Sequence, residues 1–95
     1  MKDNDRFQTT YNIAWQKNMI DGSIYILDYS ANEFTLYNDV AKEIWNCIIQ
    51  GLTVKEITEF IMENYEGATS KEVRNDVEDF IVENMNKGFL EYVSK

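Results

Sequence analysis

Ninety-five residues, 44% of them hydrophobic, suffice for one core, and a division into two domains would leave each too small to be stable. Seventeen Asp+Glu against nine Lys+Arg, no two of the basic residues adjacent, give a net charge of −8 that opposes binding to nucleic-acid phosphates or anionic membrane surfaces. A single cysteine and no histidine exclude a disulfide framework and a Cys/His zinc site, and no apolar run suits a secretion signal or a membrane span, so a reducing cytoplasm is the expected setting.

Residues 1–10 are polar and charged and read as a flexible N-terminal arm, with residues 11–95 as a single domain. Tyr11, Ile13 and Trp15 then alternate with Asn12, Ala14 and Gln16, the two-residue period of a strand with one buried face. Asp21-Gly22 supplies the positive φ of a tight hairpin. A second strand, rich in β-branched and aromatic residues, is predicted over Ser23–Tyr29. After a turn at Ser30–Asn32 comes a short third strand, Glu33–Tyr37, completing an antiparallel meander.

The period then lengthens to that of helices. Asn38 or Asp39 can cap a first helix whose apolar side is Val40, Ala41, Ile44, Trp45, Ile48 and Ile49, ended by Gly51. Thr53 with Glu56 forms a capping box for a second, directing Val54, Ile57, Ile61 and Tyr65 inward until Gly67 breaks it. Ser70 opens a longer third helix with Val73, Val77, Phe80, Ile81 and Asn84 or Met85 on one side and Glu72, Asp76, Asp79 and Glu83 on the other. Lys87-Gly88 closes it, and Phe89–Val93 returns to alternation as a last short strand or an extended tail. The fold class is therefore α+β: a three-stranded antiparallel sheet followed by three helices, winged helix-turn-helix-like.

No catalytic, cofactor-binding or metal-ligating constellation stands out. Without histidine the commonest general base is missing, and the carboxylates at helical spacing on the third helix suit a solvated face. The glycines are too far apart for a phosphate-cradling loop and punctuate turns and helix ends. Cys47, among Ile44, Ile48 and Ile49, reads as a small buried apolar residue. Trp15 and Trp45 both read as packing.

The outline leaves two binding modes to weigh. A winged-helix DNA-binding or regulatory protein would place its third helix in the major groove, yet here that helix presents Glu72, Asp76, Asp79 and Glu83 to phosphates, offset only by Lys71 and Arg74. A short third strand at a sheet edge, walled by a long helix, instead offers unpaired backbone groups to an extended peptide.

From roughly Ser23 to Val93 the sequence resembles the PqqD-like proteins, also called RiPP recognition elements, which bind leader peptides of ribosomally made, post-translationally modified peptides. The resemblance rests on the hydrophobic strand Ile24–Leu27, on Asn38-Asp39-Val40-Ala41-Lys42-Glu43-Ile44-Trp45 for the family's Asn-x-x-Ala-x-x-Ile-Trp, and on Thr53-Val54-Lys55-Glu56-Ile57 after Gly51. Asp76-Val77 followed by Phe80-Ile81 and by Gly88-Phe89-Leu90 matches its ending. The chain departs from the pattern at Tyr37, commonly aliphatic, and at Gln50-Gly51, commonly Asp-Gly.

The resemblance implies that a leader peptide adds as a strand to the third strand and packs against the third helix. Carried onto this chain, the strand wall is Phe34, Thr35, Leu36 and Tyr37, and the helix wall is Arg74, Val77, Glu78, Ile81 and Met85. Of these, Phe34, Tyr37, Arg74 and Glu78 are least readily explained by packing, whereas Val77 and Ile81 also suit the core. The implied role is that of a non-catalytic peptide chaperone in RiPP biosynthesis, handing the precursor to a separate radical-SAM enzyme, peptidase or cyclase.

Overall fold

The computed structural model describes residues 1–93; Ser94 and Lys95, the last two residues of the expected domain, lie outside the described residues. Its elements are β1 (Phe7–Thr9), β2 (Ile13–Lys17), β3 (Ile24–Asp28), β4 (Glu33–Tyr37), α1 (Asp39–Ile49), α2 (Val54–Asn64), α3 (Ser70–Asn86) and β5 (Leu90–Tyr92). The expected α+β architecture is present. β2, β3 and β4 form an antiparallel sheet in that order, β4 being the third predicted strand, and three helices follow.

Alternation along the strands divides the sheet into two faces. Ile13, Ile24 and Ile26 point into the core with Ile44, Trp45 and Ile48 of α1, Ile57 of α2 and Val73, Val77 and Ile81 of α3. Trp15 shares that face but sits at its rim, its ring edge-on to Trp45 at 6.2 Å. Tyr11, expected inward, lies outside β2 and is fully exposed.

Local signals stop α1 and α3 where expected, while α2 ends at Asn64, with Tyr65 already extended, ahead of the expected break at Gly67. Gly51, at φ 83°, donates its N–H to the Ile48 carbonyl while Leu52 donates to Cys47, which closes α1 in a Schellman-type turn. Gly88, at φ 81°, reverses the chain after α3 in the same way. The capping box at Thr53 and Glu56 is complete. At α3 the cap is Thr69 rather than Ser70: its hydroxyl accepts the Glu72 N–H, and Ser70 is the first helical residue.

The expected flexible arm is instead built into the fold. Phe7–Thr9 pairs antiparallel with Leu90–Tyr92, so that the chain's last element is a strand, and the Phe7 side chain is buried against Tyr92. Upstream, the Asp5 and Asp3 carbonyls accept the N–H groups of Val54 and Lys55 at 3.0 and 3.1 Å. Those donors belong to the first turn of α2, which has no intrahelical acceptors for them, and the Thr53 hydroxyl takes the next one, Glu56. The arm is thus held by its backbone carbonyls, a role that side-chain composition does not advertise.

Candidate functional site

In an antiparallel strand each residue directs both its N–H and its C=O to one side, and successive residues alternate sides. Across β2 and β3 the bonds Asn18 N–H to Ser23 and Tyr29 N–H to Asn12 mark odd-numbered β3 residues as bonded toward β2. Ile24, Ile26 and Asp28 therefore face β4, where their partners are Tyr37, Thr35 and Glu33. The backbone groups of Phe34 and Leu36 are left pointing outward from the sheet, along an edge that no other strand among the described residues covers.

The side chains of these two residues are also the exposed ones. Phe34 retains 75% and Leu36 49% of their accessible surface, and both stand on the sheet face away from the helices, opposite Leu27 and Tyr25 of β3. Thr35 and Tyr37 point the other way. Tyr37 is fastened to α3: its hydroxyl donates to Asn84 Oδ1 at 2.6 Å, its ring packs on Phe80 at 5.1 Å, and the Lys87 ammonium lies 5.9 Å from the ring centre. Burial pushes its phenol up, an effect opposed by the nearby Lys87. Below it, Thr35 and Glu33 join Asp28, Lys87 and Phe89 around a hollow of mixed polar and apolar character.

The helix wall differs from the one expected. Val77 and Ile81 are 0% exposed and belong to the core, so no guest reaches them without unpacking it. Arg74, Glu78 and Met85 lie about 120–160° around α3 from Phe80, at about 100° per residue, on a side turned away from β4. Arg74 Nη1 donates to Asp3 Oδ1 at 2.6 Å and Nη2 to the Met1 carbonyl at 3.1 Å, while Nε lies 3.3 Å from Glu78 Oε1. It borders a hollow with Lys55, Thr58 and Glu59 of α2.

The residues that actually adjoin β4 are Phe80, Asn84 and Lys87, spaced four and three apart. Phe80 and Asn84 belong to the side of α3 expected to face inward, whereas Lys87 was expected only to close the helix. The choice between this stripe and the one through Arg74 needs the positions of β4 and α2, which spacing alone does not supply.

The acidic residues Glu72, Asp76, Asp79 and Glu83 are all exposed, as their pattern indicated. Cys47 is buried, and that burial, with Glu43 nearby, pushes its thiol up to about 11, far from a nucleophile's range. Among the described residues no group of three His, Cys, Asp or Glu side chains could hold a metal ion, and no helix is long and apolar enough to cross a membrane.

Comparison with known proteins adds family and fold. A family model described as "Coenzyme PQQ synthesis protein D (PqqD)" matches residues 23–90. Among solved structures, one described as "Lasso peptide synthetase B1 complexed with the leader peptide" superposes with a TM-score of 0.79 at 19% identity, over 90% of this chain and 98% of that one. Another, "TbiB1 in Complex with the TbiA(beta) Leader Peptide", has a TM-score of 0.79 at 20% identity, over 93% of this chain and 99% of that one. No curated protein matches.

Proposed function

The chain belongs to the PqqD family, and from that membership and the open β4 edge we propose that it captures the leader segment of a ribosomally made precursor as an added strand on β4. The observation that carries the reading is the outward direction of the Phe34 and Leu36 backbone groups. One N–H and one C=O from each residue accept a guest without disturbing any bond of the sheet. The printed descriptions of the two similar structures, both leader-peptide complexes, support the same mode.

Backbone pairing does not suffice by itself. The four hydrogen bonds offered by two residues, at about 1 kcal/mol each, fall well short of the ~8 kcal/mol of a micromolar complex. Side chains of the guest must supply the rest, which is where selectivity for one leader over another arises.

The chain itself performs no modification in this reading. It presents the precursor in the cytoplasm to a separate enzyme, of radical-SAM, peptidase or cyclase type. DNA recognition is disfavoured by the exposed acidic row on α3.

The test is a calorimetric titration with the leader of the precursor encoded beside this chain, and in parallel with duplex DNA at physiological salt. Saturable binding of the peptide alone is expected. Binding of DNA, or of neither, refutes the proposal.

A further inference from the structure

The sheet has a second open border. In the order β2-β3-β4, β2 lies at the far side from β4, and no other strand among the described residues pairs along it. Asn18 donates its N–H to Ser23 and Asn12 accepts from Tyr29, so Ala14 and Gln16, of the same parity, also direct their backbone groups to β3. Ile13, Trp15 and Lys17 therefore turn theirs away from the sheet.

The two borders differ in where they place side chains. At β4 the residues with free backbone groups face away from the helices, whereas at β2 they face toward them. Ile13 is in the core, Trp15 stands at its rim, and Lys17 lines a hollow with Lys42, Glu43, Asn46 and Gln50 of α1. The Asp21 carbonyl, 3.0 Å away, accepts a hydrogen bond from Lys42 Nζ and steadies it. A Cβ added at Gly22 would lie 3.6 Å from Lys42 Nζ and 3.8 Å from Lys17 Cε, so the two cationic side chains converge there. Neither is in an ion pair among the described residues, although the chain carries a net charge of −8.

A strand added antiparallel along β2 brings the residues opposite Trp15 and Lys17 to about 5 Å from them between Cβ atoms, on the helix side. One of these residues meets an indole ring and the other, two positions away, meets a pair of ammonium groups. A second copy of this chain does not suit that border. Its own outward residues, Ile13, Trp15 and Lys17, include no carboxylate, and it brings −8 against −8. Lys17 thus deters β2 from pairing with itself while favouring an acidic strand.

Resting on the leader-capture reading above, which assigns the precursor to β4, we infer that β2 is a second strand-accepting edge whose occupant is an extended segment of the modifying enzyme. In that segment an apolar residue for Trp15 and a carboxylate for Lys17 and Lys42 stand two positions apart. One sheet then holds the precursor by one border and the catalyst by the other.

The experiment uses the full chain, the leader of the precursor and the modifying enzyme encoded beside it, with amide hydrogen exchange and calorimetry. The enzyme should protect the Trp15 and Lys17 amides and the leader those of Phe34 and Leu36. Lys17→Glu/Lys42→Glu should lower enzyme affinity about tenfold or more through like-charge repulsion while leader affinity stays unchanged. The milder Lys17→Gln/Lys42→Gln, should the reversal disturb folding, is expected to lose less and to abolish most of the salt dependence of enzyme binding.

Enzyme binding that leaves Trp15 and Lys17 unprotected, unchanged affinity of both lysine variants, or no enzyme binding overturns the inference and leaves leader capture standing. Protection of Trp15 and Lys17 by the leader, or by self-association of the chain alone, names a different occupant and overturns it as well. Enzyme binding at β2 with no leader protection at Phe34 and Leu36 removes the leader-capture reading instead.

Discussion

Tyr37 and Asn84 carry the connection between β4 and the long helix. Asn84 is completely buried; its amide donates to the Phe80 carbonyl and its oxygen receives the Tyr37 hydroxyl. Tyr37→Phe keeps the ring and its packing but leaves that oxygen unpaired in the interior, so a loss of about 1–3 kcal/mol in urea unfolding is expected. The departure from the commonly aliphatic residue at this position is thus accounted for by a polar partner on α3, and its value lies in holding β4. Sequence reading marked Tyr37 as a residue that packing does not readily explain. The reason is an internal hydrogen bond across 47 positions, which no local pattern announces. Phe34, singled out on the same grounds, has no such internal bond and is, with Leu36, an exposed member of the predicted wall.

The elements themselves were largely legible, because each is written in a local code. Alternation gave β2 to β4, glycines at positive φ marked the ends of α1 and α3, and Thr53 with Glu56 announced α2. β1 was not legible: three residues with one inward side chain carry no period, and their partners are at the other end of the chain. For β4, the direction of each peptide group makes two proline substitutions informative. Leu36→Pro removes an N–H that points to the guest, so the β3–β4 ladder and the melting temperature should be nearly preserved while leader affinity falls. Thr35→Pro removes a donor to β3 and should lower the melting temperature markedly, with circular dichroism separating the two cases.

The strap across the start of α2 has its own signature in acid. The hydrogen bond from Arg74 holds the Asp3 carboxyl below its ordinary 3.8. A group depressed in the folded state contributes fully above its unfolded value and loses that contribution as pH falls through the folded one. The strap should therefore be intact at neutral pH and loosen only below about pH 3.8, the unfolded reference for an aspartate. Asp3→Asn should flatten this part of the acid limb of melting temperature against pH. Glu56, held down first by its bond from the Thr53 backbone, preserves a residual slope of the same sign.

For the molecule as a whole, the sheet and helices share one core, and the terminal ribbon closes over it through Phe7, Phe89 and Leu90. Phe7→Ala should cost about 3–5 kcal/mol in urea unfolding, the usual consequence of emptying a fully buried aromatic site. Such a loss would demonstrate that the first residues are part of the domain. A loss near zero would return them to the role of an arm. Part of the acidic excess stands on the exposed face of α3, as Glu72, Asp76, Asp79 and Glu83, the sign opposite to the one a DNA reader needs there.

The pairing of β1 with β5 puts Phe7 directly across from Tyr92. Opposed residues of an antiparallel ribbon lie roughly 4.5–5.5 Å apart at their Cα atoms, so this ribbon clamps together two segments that are remote in sequence, and loosening either one frees the other. Because β4 belongs to the other sheet, the clamp closes the fold without covering the β4 edge.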